Sequence, residues 1–305
     1  MTLPDEIKSP SYKQGLAIDP RDIVVLAYVQ SNKFITTKLF QKKFHPAHSY
    51  VTACVHLREL VSRGLLLKTQ NLPNEDTYYY LSRPALHQLS GLARILISTE
   101  VRSPRINTFE REHDRRLLEM RIHFESDPAL AGLTWLSDYE MRCGLRMEWK
   151  KALEEGRGWE LAGTKLRRLN RRTPDGYFEV SLEGQPYTFV LEYEHSPYNR
   201  QQMGAMVLNL VRDFPSALRL VVSRDKEHAV RLAEGLRDHL KSDPRHQGLW
   251  GFSFFGKVIS RPFTRVPWVN LEGEYLPFVK DPILNAVSKD DEKPEGVSHE
   301  PSPEL

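Results

Sequence analysis

Cysteine is scarce in this sequence. The 305 residues hold only Cys54 and Cys143, too few for a disulfide framework or a four-cysteine zinc site, so a reducing compartment is the default. Long apolar runs are missing too: none approaches the roughly 18 residues that would span a bilayer. The first twenty residues mix Asp5, Glu6, Lys8 and Lys13 with prolines instead of building an export signal. A cytoplasmic protein with no membrane partner is expected. Phosphate-cradling glycine loops are absent as well. Gly251 to Val258 comes closest, but Val258 lacks the hydroxyl that would ligate magnesium and the aromatic interior reads as a strand, so no nucleotide cofactor is expected.

What is present describes an ordinary globular chain of about two domains, with 40% hydrophobic and 27% charged residues. The net charge of +3 hides an asymmetry, because Lys289 to Leu305 holds six acids against two lysines. The body is therefore distinctly basic, which favours a polyanionic partner.

The chain divides by composition and periodicity. Residues 1–18 read as a flexible leader, and Asp19-Pro20 supplies a cap and a first-turn proline for a helix. Thr36 or Thr37 caps a second helix that ends at His45-Pro46, and a third runs from about Ala47 to Arg63, where Gly64 stops it. Extended segments follow at Leu65 to Thr69 and Thr77 to Leu81, around a turn-rich Asn71 to Asp76. Three helices and a hairpin predict a winged helix-turn-helix over residues 19–97, closed by a helix from Ala85 to Ile97. Residues 98–107 read as a linker, and 287–305 as an acidic, disordered tail. The second domain, 108–286, is mixed α/β: a long helix from Thr108, a basic strand near Leu161 to Leu169, a hairpin of Tyr177 to Leu182 with Tyr187 to Tyr193, and alternating helices and strands to a last strand, Trp250 to Ile259. The fold class is thus mixed α/β and α+β.

On the third helix, steps of about 100° per residue put Leu57, Val61, Cys54, Val51 and Val55 on a core side, with Thr52, His56, Glu59 and Arg63 opposite. In a helix-turn-helix the exposed first turns of this helix meet base edges, which nominates His48, Ser49, Tyr50, Thr52 and His56. Lys38, Lys42 and Lys43 on the preceding helix and Lys68 in the wing would meet phosphates. Winged helices also dock proteins. Nine basic against five acidic residues over 19–89 favour double-stranded DNA as the partner.

The hairpin carries the most suggestive chemistry. A four-residue turn, Glu183 to Pro186, would set Asp175 opposite Glu194 and Glu192 opposite Tyr177, bringing three carboxylates to one face within reach of a hard divalent cation. The alternative is an amphipathic hairpin with a wet acidic face, since apolar residues alternate with the acids. Just upstream, Lys165, Arg167, Arg168, Arg171 and Arg172 form a basic run suited to phosphate contact.

Pro174-Asp175 followed by an apolar strand with Glu192-Tyr193-Glu194 resembles the restriction-endonuclease-like core. That resemblance implies magnesium held by Asp175 and Glu192, with Glu194 as the third catalytic position where such enzymes carry a lysine. A carboxylate there cannot stabilise an attacking hydroxide, which implies metal binding without efficient cleavage. The larger order, a winged helix, His113-Asp114, Trp135-Leu136-Ser137-Asp138-Tyr139-Glu140, Pro174-Asp175 and Leu191-Glu192-Tyr193-Glu194, resembles the replication-relaxation family of plasmids and other mobile elements. It implies a DNA-associated regulator of plasmid replication or mobilisation, working with replication or mobilisation proteins, and leaves a homodimer open. The alternatives are a magnesium-dependent DNA nuclease and a protein-docking adaptor.

Overall fold

The computed structural model describes residues 18–69, 76–93, 110–155, 173–195, 200–240 and 248–279. It is mixed α/β, with helices arranged around two sheets.

Local capping sets the first elements. Asp19 caps α1 (Pro20–Ser31) and forms a reciprocal box with Asp22, while Pro20 occupies the first turn, where its missing N–H costs nothing. After β1 (Ile35–Thr36), the Thr36 hydroxyl accepts the Leu39 amide and starts α2 (Thr37–Phe44). Ser49 does the same for Thr52 at the head of α3 (Tyr50–Ser62), three residues later than the sequence predicts, because Pro46 and the turn after it precede the cap. Gly64, at φ +72°, turns the chain out of α3 into β2 (Leu66–Lys68). That strand and β1 flank β3 (Tyr78–Leu81), giving a small antiparallel sheet of order β1-β3-β2. With α4 (Arg83–Ala93) these elements enclose a core that includes Leu26, Val29, Phe40, Ala53, Leu57, Leu60 and Leu89.

The second sheet has five strands in the order β4-β5-β6-β7-β8. Its strands are β4 (Thr134–Ser137), β5 (Gly176–Leu182), β6 (Gln185–Glu194), β7 (Leu218–Ser223) and β8 (Trp250–Phe254). The first three are antiparallel, and β6, β7 and β8 run parallel. One face holds Phe178, Phe189, Leu220 and Trp268, against Met120 and Phe124 of α5 (Arg111–Glu125). Helix α6 (Asp138–Glu154) leaves the end of β4 directly. Helices α7 (Arg200–Asp213) and α8 (Lys226–Leu240) supply Met203, Met206, Leu232 and Leu236 to the other face. Gly176 is required at the start of β5: a Cβ there would lie 2.6 Å from the Trp135 indole, which stacks on Phe178 with the ring planes 5° apart.

Three expectations are corrected. The hairpin turn has two residues, Glu183 and Gly184, at φ +52° and +81°, and pairs Leu182 with Gln185. Left-handed values at both positions make the turn whose twist matches paired strands, and glycine suits the second. The register therefore moves by two, which preserves which face each side chain takes. Second, the chain from Trp250 is a strand only to Phe254; Phe255–Ser260 is a short helix, α9, whose Phe255 and Val258 both enter the core, as residues three apart do on a helix. Third, α3 is rotated from its predicted orientation. Ala53, Leu57 and Leu60 form its fully buried stripe, whereas Val51 and Val55 are 67% and 55% exposed. The basic strand expected at 161–169, residues 1–17 of the expected leader 1–18, the linker and the tail lie outside the described residues, and Ile18 packs against the N-terminal core.

The two cores are joined through α5. Leu118 and Ile122, one turn apart, pack into the N-terminal core, and Met120 and Phe124, on the opposite side, pack into the sheet.

Candidate functional site

On α3 the buried stripe leaves an open side that carries Tyr50, Val51, Thr52, Val55, Arg58, Glu59 and Ser62. Of the predicted base-reading residues, His48, Ser49, Tyr50 and Thr52 are exposed there or at the helix head. The Ser49 hydroxyl is 3.3 Å from the Thr52 amide as the cap. His56 is turned aside instead: its Nδ1 lies 2.9 Å from His45 Nε2, and its ring meets the edge of Phe40. Burial pushes the His45 pKa down, and the neighbouring His56 and His48 push the same way. Between α3 and the strands lies an open groove of about 650 Å³ lined by Tyr50, Arg58, Lys68, Thr69 and Tyr79 among others.

The predicted phosphate contacts separate into two kinds. Lys38 and Lys68 are exposed. Lys42 and Lys43 instead point to α5: Lys42 Nζ is 3.1 Å from Glu119, and Lys43 Nζ is 2.7 Å from Glu125 and lies over the Tyr28 ring. Lys42 stays 59% exposed, so its pair contributes little and can be exchanged for a phosphate. Lys43 is held inside a network. Arg121 donates to Glu125 at 2.8 Å, to Glu140 at 3.2 Å, to Asn32 at 3.1 Å and to Ser31 at 3.3 Å, and Tyr28 donates to Glu125 at 2.8 Å. Burial disfavours the Glu125 carboxylate, but Arg121 and Lys43 outweigh it and hold its pKa below the ordinary range. Lys165, Arg167, Arg168, Arg171 and Arg172 lie outside the described residues.

The carboxylates are distributed differently from the expectation. Asp175 precedes β5, and its carboxylate turns toward α5, accepting the Tyr193 amide at 2.9 Å and lying 3.3 Å from His113 Nε2. Glu192 and Glu194, 2% and 3% exposed, alternate with Leu191 and Tyr193 and share the side of β6 that carries Val190. Among the described residues no group of three His, Cys, Asp or Glu is arranged to hold a metal ion. Asp175 and Glu192, the two positions expected to hold magnesium, differ in setting: Asp175 is engaged by the Tyr193 amide and His113, and Glu192 is buried on β6.

A polar pocket forms around Asp175 instead, lined by Lys33, Asp114, Arg121, Ser137 and Asp138 among others. Lys33, at φ +69° just after α1, reaches both Asp114 oxygens at 3.0 Å. Burial works against its ammonium, yet Asp138 and Asp114 prevail and raise its pKa. Burial raises the Asp138 carboxyl against the pull of Lys33 and Arg142. For His113, burial again opposes charge, but the hydrogen bonds and charges of Asp114 and Asp175 hold its pKa up at about 10. The sequence placed His113-Asp114, Asp138 and Asp175 in motifs; it held no sign of Lys33, whose partner Asp114 is distant in the chain, or of the distant partners that Arg121 adds to its i,i+4 neighbour Glu125.

Comparison with family models, with curated proteins and with solved structures finds no match for this chain.

Proposed function

We propose that this protein binds double-stranded DNA through a winged-helix arrangement of α1 to α4 and β1 to β3, and acts as a regulator of the replication-relaxation type without efficient catalysis. The observation that carries this reading is α3. One stripe of it is fully buried, its opposite side is open along the helix, and the exposed cations Lys38, Arg58 and Lys68 surround it. A free helix side with flanking positive charge suits the major groove and its phosphates. Replication or mobilisation proteins would be its working partners, and a second copy of the chain would match a symmetric DNA site.

The test is anisotropy of labelled random-sequence duplexes with the full chain across a salt series. Affinity should fall as salt rises, and replacing Lys38 and Lys68 with Ala should weaken binding to every sequence, flattening the slope by about 0.9 for each phosphate no longer neutralised. Absence of any salt-dependent affinity for duplexes would favour a protein-docking adaptor. The nuclease alternative gains from the buried carboxylates Glu192 and Glu194, and loses from the acid at Glu194, where a charge-stabilising cation is needed. Supercoiled DNA with magnesium or manganese should stay uncut; cutting that disappears in both Asp175→Ala and Glu192→Ala would reverse this preference.

A further inference from the structure

We infer that α3 recognises the C5-methyl groups of thymine in the major groove, through Val51 and Val55. The inference rests on the DNA-binding reading above and specifies what that surface reads. Val51, Val55, Arg58 and Ser62 are spaced three and four apart, so they form one stripe, opposite the buried Ala53, Leu57 and Leu60. This stripe is the part of the helix that would go deepest into a groove. Its first two turns are apolar, and the valines are 67% and 55% exposed. Both side chains are β-branched and hold one preferred rotamer on a helix, so they present fixed methyl surfaces.

Valine has neither donor nor acceptor. Among the base edges of the major groove, the thymine methyl is the apolar feature it can match, while the acceptors and donors of the other bases would be left facing hydrocarbon. The surroundings select nucleic acid over an apolar protein partner. Arg58 continues the stripe, Lys38 and Lys68 are exposed, and residues 19–89 carry nine basic against five acidic residues. A polyanion is complementary to that frame, and an apolar surface is not.

The experiment starts with duplexes enriched from a random library on the full chain at moderate salt. Each thymidine of an enriched duplex is then replaced singly by deoxyuridine, which keeps the base pair and removes only the methyl. At one to three positions affinity should fall about fourfold, the amount expected for one buried methyl-sized group. Val51→Ala and Val55→Ala should each abolish the thymidine preference at a distinct position while leaving the salt slope unchanged. Equal affinity for thymidine and deoxyuridine at every position, with salt-dependent binding intact, overturns the inference and leaves the DNA-binding reading standing. No duplex binding at all overturns both. A self-associating chain that Val55→Lys renders monomeric would assign the stripe to a second copy and overturn the inference as well.

Discussion

His113 is where a single side chain ties α5 to the carboxylate pocket. Its Nε2 lies 3.0 Å from the Tyr193 carbonyl and 3.3 Å from Asp175, and its Nδ1 lies 3.4 Å from Asp114. The imidazole has an ordinary pKa of 6.5 and is held near 10 here, burial being outweighed by Asp114 and Asp175. A pKa raised on folding stabilises fully below the unfolded value and is lost as pH rises through the folded one, because over that interval the native state binds the extra proton. Stability should therefore decline between pH 6.5 and about 10. His113→Gln should flatten that decline, read from urea midpoints at each pH; an unchanged slope would mean that His113 is neutral in the fold.

At the scale of elements, Arg121 joins α5 to α1 and α6. Its side chain is 8% exposed and meets Glu125, Glu140, Ser31 and Asn32, with the guanidinium 4.8 Å over Tyr28. Arg121→Ala would take the guanidinium from Glu140 and leave Glu125 with Lys43 alone, and should cost about 3 kcal/mol, in the range for breaking a buried pair. Denaturant unfolding should show it as a lower midpoint at constant slope. Arg121→Met, which keeps the bulk, should recover only the packing part. This network is not legible in the sequence, because Ser31, Arg121 and Glu140 are brought together only by tertiary folding. Caps and strand positions are legible: Asp19, Thr36 and Gly64 act locally, β5 and β6 follow from apolar alternation, and β7 from a near-continuous apolar run. The orientation of α3 escapes the sequence for a physical reason. Periodicity assigns every valine to the core, and a helix with apolar residues on its open side carries a blurred signal. The carboxylates are legible in part. Face parity survives a register shift of two, but Asp175 lies outside the strand and answers to α5 instead of to the alternation.

For the whole molecule, the sequence divides the chain into two domains joined by a linker, yet the packing runs through α5 without a break. Leu118 and Ile122, each 2% exposed, belong to the N-terminal core, and Met120 and Phe124, both fully buried, belong to the sheet. Removing α5 would take Leu118 and Ile122 out of the N-terminal core and strip Lys33, Lys42 and Lys43 of Asp114, Glu119 and Glu125. Two large aliphatic side chains are worth about 1.5–3 kcal/mol each when buried, a large share of what a domain of this size possesses. A fragment of residues 1–100 should thus be largely unfolded at 25 °C, and the full chain should unfold in one step. None of the five tryptophans, at 135, 149, 159, 250 and 268, belongs to α1 to α4, so fluorescence is emitted from outside those helices while far-ultraviolet circular dichroism reports them directly. Coincident midpoints from the two probes are expected. A stable fragment, or a dichroism transition separated from the fluorescence one, would mean that α5 only rests against the N-terminal core; the pairs it makes with Lys42 and Lys43 would then open without unfolding, freeing both lysines for phosphates.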